Sequence, residues 1–99
     1  MKDQLQSSKC AISLKAIGDP DRLKIIQCLQ LGPMNVGAIA DVLDVEIANV
    51  SHHLQILKHA GLVDANKQGK YVIYSLSADV LAENDVLELG CCRLQLGKK

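Results

Sequence analysis

Apolar residues recur at helical spacing through most of the first sixty positions and predict four helices. Glycine, proline and capping residues separate the predicted helices. The first is predicted over residues 4–17, and the second begins after Asp19 and stops at Gly32. Two shorter helices share residues 36–60 and are joined by about three or four residues, which is the spacing of a helix-turn-helix.

Local signals at the helix starts support these boundaries. Asp19 can cap the second helix, Pro20 suits its first position, and Asp21 adds an acid to its first turn. Asn35 is a good cap for the third helix. Asp44 follows that helix where a tight turn is needed, and aspartate tolerates left-handed geometry better than most residues.

The fourth helix, which starts near Glu46 or Ile47, is the most informative segment of the chain. Val50, Leu54 and Leu57 fall at positions i, i+4 and i+7 and predict one buried stripe. The opposite side carries hydrogen-bonding groups and no acid, and its residues are Ser51, His52, Gln55, Lys58 and His59. Such a helix suits the major groove of DNA, where polar side chains read base edges.

Beyond Gly61 the apolar period shortens to two residues and predicts a β-hairpin. Its arms are residues 62–66 and 71–76, and the connector Lys67-Gln68-Gly69-Lys70 supplies a glycine for the turn.

The tail from residue 78 is less regular than the hairpin. Residues 78–83 are compatible with a short helix, whereas residues 87–91 alternate like a strand with a bulge at Gly90. Whether the tail is helix or strand stays open.

Composition narrows the class of protein. A length of 99 residues indicates one domain, and 48% hydrophobic residues excludes a disordered chain. With no Trp or Phe, the core must be aliphatic, which favours packed helices. The formal net charge is zero, but Asp64 is the only acid between residues 47 and 77, so one face can be locally basic.

No apolar run approaches the roughly 20 residues that span a bilayer, so we expect a cytoplasmic chain without a membrane partner. Its four cysteines are then thiols, metal ligands or redox sensors rather than structural disulfides. An enzyme is not expected, because the chain has neither a Cys-x-x-Cys motif nor a glycine-rich phosphate loop.

Three stretches together resemble the ArsR/SmtB family of small dimeric repressors. They are residues 14–23 (LKAIGDPDRL), residues 50–63 (VSHHLQILKHAGLV) and residues 69–76 (GKYVIYSL). The resemblance covers about residues 10–77 and implies a winged helix-turn-helix fold, mainly α with a β-hairpin wing (α+β). It also implies a homodimer on near-palindromic double-stranded operator DNA, with the two recognition helices about one turn of duplex apart.

On this resemblance, residues 1–99 form a single winged helix-turn-helix domain. Residues 4–17 are then the dimerisation helix, 36–60 the helix-turn-helix, 62–76 the wing hairpin, and 78–99 a C-terminal tail for dimerisation and effector binding.

The family pattern also assigns DNA-binding residues. Asn49 and Gln55 can pair with adenine edges, and Ser51 can contact a base or a phosphate. The full predicted set is Ala48, Asn49, Ser51, His52, His53 and Gln55 on the helix, with Lys58, Lys67 and Lys70 on phosphates.

Three positions have more than one interpretation within this family pattern. Relatives often have Ser and Gln at Glu46 and Ile47. Glu46 would repel phosphate unless it caps the helix or reads a cytosine, and Ile47 either contacts a thymine methyl or belongs to the core. Arg22 is interpreted as structural, in an ion pair with Asp19 or as a helix partner.

The cysteines do not match the family's familiar effector sites. The third helix lacks a Cys-x-Cys pair at its start, and the tail lacks histidine. The family's dimer interface would instead bring Cys10 near Cys91 and Cys92. Three thiolates there suit As(III), Cd(II) or Pb(II), or Cys10 could form a disulfide with either. Packing at the dimer interface is an equal alternative, and Cys28 is assigned to core packing.

The predicted function is a sequence-specific DNA-binding transcriptional regulator. We expect a dimeric repressor that leaves its operator on binding a soft metal or metalloid ion or on thiol oxidation. Two alternatives stay open: a winged-helix regulator without a small-molecule effector, and a protein-interaction module that has lost DNA binding. The inducer, operator sequence and regulated genes cannot be predicted from the residues.

Overall fold

The computed structural model describes residues 7–78, 80–83, 86–89 and 92–95. Within these ranges the chain forms four helices and six strands. One strand of two residues lies between the second and third helices, and the other five strands follow the fourth helix. The elements are α1 Ser7–Ile17, α2 Pro20–Leu29, β1 Met34–Asn35, α3 Val36–Leu43, α4 Ile47–His59, β2 Val63–Gln68, β3 Tyr71–Leu76, β4 Leu81–Glu83, β5 Val86–Glu88 and β6 Arg93–Gln95. None of the described helices has the length and apolar character needed to cross a membrane.

The starts of α2 and α3 are capped at the predicted residues. The Asp19 carboxylate accepts two backbone N–H groups from the first turn of α2, both at 3.1 Å. The Asn35 side-chain oxygen accepts the backbone N–H of Ala38 at 2.8 Å. Asp44 has φ 56°, a left-handed conformation that ends α3 and turns the chain toward α4. These contacts satisfy donors that a helix leaves unpaired at its first turn.

The predicted stripe on α4 lies in the centre of the molecule. Val50, Leu54 and Leu57 have no exposed surface. They belong to one apolar core with residues from α2 and α3 that are also fully buried, namely Ile25, Ile26 and Ile39. Burial of large aliphatic side chains at this density fixes the helix-turn-helix as one packed unit.

The wing is an antiparallel hairpin of β2 and β3, as predicted. Its register runs from Val63 opposite Leu76 to Gln68 opposite Tyr71, so the strands continue beyond residue 66 and leave a turn of Gly69 and Lys70. Gly69 has φ 62°, which a residue without a side chain adopts at low cost. The two-residue strand β1 pairs with β3 on its other side and was not predicted.

The described part of the tail is a second antiparallel sheet in the order β4-β5-β6. Of the alternatives left open for the tail, residues 81–83 adopt the strand, as β4, and not the end of a short helix over residues 78–83. The alternation seen in the sequence is real, since Leu87 and Leu89 are both buried in the main core. The expected bulge at Gly90 lies outside the described residues.

Helix α1 is only partly covered by the rest of the chain. It buries Ala16 and Ile17, which are 4% and 5% exposed. By contrast, the apolar residues Ile12 and Leu14 are 58% and 41% exposed. Helix α1 therefore exposes apolar surface in the single chain. Residues 4–6 of the predicted helix lie outside the described residues.

Candidate nucleic-acid interface

The outer face of α4 presents polar side chains to solvent. The residues predicted to contact DNA divide by exposure: Ala48, Asn49, His52, Gln55 and Lys58 are exposed, whereas Ser51 and His53 are half-buried. No acid lies between Ile47 and His59. The exposed face can therefore approach a polyanion without an acid of its own helix in the way.

The start of α4 has no side-chain cap, unlike the starts of α2 and α3. Glu46 occupies the N-cap position, but its side chain makes no capping hydrogen bond, so of the alternatives considered for Glu46 the structure does not show capping. Ile47 is 56% exposed, which excludes the core interpretation of that residue. An exposed apolar group here is able to meet a thymine methyl in the major groove.

The end of α4 carries two basic residues, which suit the negative end of a helix dipole. His59 Nδ1 lies 2.8 Å from the backbone oxygen of Gln55. A carbonyl only accepts, so Nδ1–H donates, and in the neutral ring Nε2 is the acceptor. Lys58 is exposed beside it on the outer face.

The tip of the wing carries the other two predicted lysines. Lys67 lies on β2 opposite Val72, and Lys70 lies in the turn; both are exposed. The Lys70 Nζ is 5.6 Å from the centre of the Tyr71 ring, within the range of a cation–π contact. The contact of these two lysines with phosphate remains a prediction.

Asn35 joins the wing to the helix-turn-helix. Its backbone is part of β1 and pairs with Ile73 of the wing strand β3. Its side chain caps α3 through Ala38. The wing and α3 are thus connected through Asn35. The sequence predicted its role as a helix cap, but it did not predict the strand.

Arg22 and His53 connect α1, α2 and α4. The Arg22 Nε–H donates to the backbone oxygen of Ala16 near the end of α1, and Arg22 Nη1 lies 3.3 Å from His53 Nδ1. Of the two structural roles predicted for Arg22, the structure displays the helix partner. The His53 ring is only 16% exposed, and its Nε2 lies 3.8 Å from one carboxylate oxygen of Asp19 and of Asp21.

The position of His53 in the sequence contained a signal that was missed. It lies three residues after Val50 and one before Leu54, so it borders the buried stripe rather than the outer face. Its predicted contact with DNA remains a prediction, and the single chain shows the ring directed toward α2.

The pKa of the Asp19 carboxyl lies below its ordinary value of 3.8. The largest cause is the hydrogen bond from the backbone N–H of Arg22, and burial opposes it. Attraction to His53 and to the Arg22 side chain acts in the same direction as the hydrogen bond. The charged form of Asp19 is therefore the one that the start of α2 stabilises.

The cysteines differ in state and surroundings. Cys10 on α1 is half-buried and disulfide-bonded. The disulfide partner of Cys10 lies outside the described residues, and Cys91 also lies outside them. Cys92 is half-buried and packs against the core. Cys28 is half-buried between α2 and α3 rather than in the core, and burial raises the pKa of its thiol. A raised pKa makes Cys28 a poor nucleophile and a poor metal ligand.

A helix-turn-helix whose exposed recognition helix stands beside a two-stranded wing defines a winged helix-turn-helix DNA-binding domain. A family described as a helix-turn-helix domain matches residues 17–65. The transcriptional repressor SdpR of Bacillus subtilis (strain 168) is 40% identical over 70 residues, which cover 71% of this chain and 78% of SdpR. The cadmium resistance transcriptional regulatory protein CadC of Listeria innocua is 43% identical over 61 residues, which cover 61% of this chain and 51% of CadC.

Solved structures agree with this relationship. The homodimeric winged helix-turn-helix DNA-binding domain of Mb0332 from Mycobacterium bovis, a possible ArsR-family transcriptional regulator, superposes with a TM-score of 0.73 at 30% identity. The match covers 80% of this chain and 75% of that domain. The chain belongs to the ArsR/SmtB family of winged helix-turn-helix transcriptional regulators, which confirms the resemblance seen in the sequence. The relatives' role is regulatory rather than enzymatic.

Proposed function

We propose that two copies of this chain bind a near-palindromic DNA operator, repress transcription there, and leave it when thiols of α1 and the tail are oxidised. The observation that carries the proposal is the exposed, acid-free face of α4 in a winged helix-turn-helix. On that face Asn49 and Gln55 have the amide groups that pair with adenine in the major groove. Lys58, Lys67 and Lys70 would neutralise phosphates.

Pairing of two chains is supported by the apolar surface that α1 exposes. Ile12 and Leu14 expose apolar surface that a second copy of the helix would remove from water. Mb0332, which shares the fold, is homodimeric. A two-fold axis near α1 would place two α4 helices on one side of the dimer, and a near-palindromic operator follows from that symmetry.

Release by oxidation is supported by the disulfide at Cys10. DNA-binding regulators work where thiols are normally kept reduced, and disulfides in such compartments are usually transient and redox-sensing. When hydrogen peroxide oxidises two thiols, the sulfurs form one bond and give up two protons and two electrons, and peroxide becomes two waters. Cys10 with Cys91 would form this pair, since the disulfide partner of Cys10 lies outside the described residues and Cys92 lies within them.

A soft metal or metalloid ion, As(III), Cd(II) or Pb(II), is the second candidate for the effector. CadC is named for cadmium resistance, and the thiolates of Cys10, Cys91 and Cys92 are the ligand type that such ions prefer. Oxidation is the proposal we favour, because the disulfide sulfur of Cys10 is not a thiolate ligand.

DNA binding is tested by measuring the affinity for a duplex selected from a random pool, as a function of salt. We expect the logarithm of the affinity to fall linearly with the logarithm of salt. In the double variant Lys67→Gln/Lys70→Gln the slope for the dimer should shrink by about four, roughly one for each phosphate contact that the two subunits lose. Lys24→Gln on α2 is the matched control and should keep the wild-type slope. Absence of binding to every duplex at low salt would overturn the proposal.

The effector is tested on the reduced protein bound to that duplex. Hydrogen peroxide should release the wild type and the Cys28→Ser control, and dithiothreitol should restore binding. Cys10→Ser should bind DNA and resist peroxide. Release of the reduced wild type by cadmium chloride, with no response to peroxide, would favour the metal-ion alternative. Equal release of Cys10→Ser by peroxide would exclude Cys10 from the response.

A further inference from the structure

We infer that His53 is a positioning residue for the recognition helix rather than a DNA contact, and that only its neutral form holds α4 to Arg22. The inference rests on the proposed DNA binding. The ring is nearly enclosed between α2 and α4, with its two nitrogens directed at different partners on α2. The His53 side chain is half-buried, whereas Asn49, one turn earlier on the same helix, and Gln55 are exposed.

The tautomer of His53 follows from its partners. A guanidinium group has only donors, so the 3.3 Å contact with Arg22 requires Nδ1 to accept. The proton of the neutral ring is then on Nε2, which faces the carboxylates of Asp19 and Asp21 at 3.8 Å. Neutral His53 therefore matches a donor on one side and acceptors on the other. Arg22 passes the connection to the backbone oxygen of Ala16 on α1.

A second proton on His53 breaks this match. It would place an N–H on Nδ1 against an Arg22 N–H at 3.3 Å, so two donors and two positive charges would face each other. The protonated ring would turn toward Asp19 and Asp21, which attract it. Protonation of His53 thus removes the contact that links α4 through Arg22 to α1. It strengthens the contact of the ring with Asp19 and Asp21 at the start of α2.

The other titratable groups around the link are more exposed. The His52 ring lies 5.9 Å from the His53 ring on α4, and His59 and Lys15 line the same groove between α1 and α4 as Arg22. A proton on the exposed His52 or His59 adds positive charge near DNA and should strengthen binding. Only His53 is held against a cation, so only its protonation should weaken binding.

A metal ion at the same place is disfavoured by the same geometry. Single ligand atoms of Asp19, Asp21 and His53 lie within 4.8 Å of one another, close enough to suggest a site. However, Nε2 carries the proton while Arg22 holds Nδ1, and the guanidinium adds a positive charge beside the ring. The group therefore fits a hydrogen-bonded link between helices.

The substitution His53→Asn separates positioning from charge. The asparagine oxygen is attached to Cγ as Nδ1 is, so it can accept from Arg22, and it does not titrate. Operator affinity is measured by fluorescence anisotropy at constant salt between about pH 8 and about pH 5.5, the range in which histidines change charge. Circular dichroism at each pH confirms that every variant is folded.

We expect His53→Asn to bind within about twofold of the wild type at the high-pH end, and about fivefold more tightly than the wild type at the low-pH end. The matched controls His52→Asn and His59→Asn should not gain affinity relative to the wild type as the pH falls. Coincident curves for wild type and His53→Asn would overturn the inference while leaving the proposed function intact.

Arg22→Gln provides a second test that does not alter the histidine. Without the guanidinium, a proton on His53 no longer meets a positive charge, so the loss of affinity attributed to His53 at low pH should disappear. Affinity at high pH should fall because the link to Ala16 is lost. An unchanged pH profile in Arg22→Gln would contradict the inference even if His53→Asn failed to fold. Failure of the wild type to bind any duplex would instead overturn the proposed function and, with it, this inference.

Discussion

On the inner side of α4, Val50, Leu54 and Leu57 have no exposed surface, whereas Asn49 and Gln55 on the outer side are exposed. The two sides belong to one helix of 13 residues and share its backbone. The inner side contributes to the free energy of folding through apolar burial. The exposed outer side buries little apolar surface, so packing in the core places few constraints on its residues. His53 stands at the border and connects the two roles.

The largest effect is expected on the inner side. Leu54→Ala should lower the free energy of unfolding by about 2–5 kcal/mol, because it removes buried methyl groups and leaves a cavity. The exposed Ile47→Ala is the control within the same helix and should change it by no more than about 0.5 kcal/mol. Urea denaturation followed by circular dichroism measures both. Equal losses in the two variants would remove the distinction between the sides.

A smaller and different effect is expected on the outer side. Asn49→Ala should leave the unfolding midpoint nearly unchanged and weaken operator binding by about 1–3 kcal/mol for each half-site, through the loss of a base contact. The loss should depend on the base pair at one position in each half-site. Gln27→Ala, an exposed change on α2, should leave binding unchanged. A loss of equal size on every duplex would identify Asn49 as a phosphate contact instead.

The smallest effect is expected at the start of α2, where Asp19 lies close to the ring of His53 on α4. The pKa of Asp19 is lowered in the folded state, so its stabilising effect is present above the ordinary value of 3.8 and disappears as the pH falls through the folded-state pKa. Asn also caps helices, so Asp19→Asn should melt only slightly below the wild type near neutral pH, and the difference should vanish in acid. A constant difference in thermal midpoint across the whole acid range would contradict this assignment.

Local chemistry made much of the helix-turn-helix predictable. Asp19, Asn35 and Asp44 mark helix ends through contacts with residues close in sequence, so their roles can be seen without a fold. The stripe of α4 was predictable for the same reason, since helical spacing alone brings its residues to one side. The hairpin followed from alternation and a glycine at its turn.

Long-range contacts were not predictable. Strand β1 has only two residues and exists because β3 lies beside it, about forty positions later in the chain. The link between Arg22 and His53 spans 31 positions, and neither residue alone indicates it. Leu31, just after the end of α2, is apolar but 91% exposed, because the apolar character of a residue does not show what covers its side chain. In the tail, short apolar stretches were compatible with helix and strand alike.

The double role of Asn35 has a consequence for how sharply the regulator would respond. Its backbone belongs to the sheet of the wing and its side chain to the first turn of α3. A tilt of the helix-turn-helix would therefore move the wing as well. Contacts with two neighbouring grooves of the DNA would then form or break together. Binding to the DNA by the recognition helix or the wing alone would be rare. A small change at the dimer interface would then be enough to release the protein from its operator.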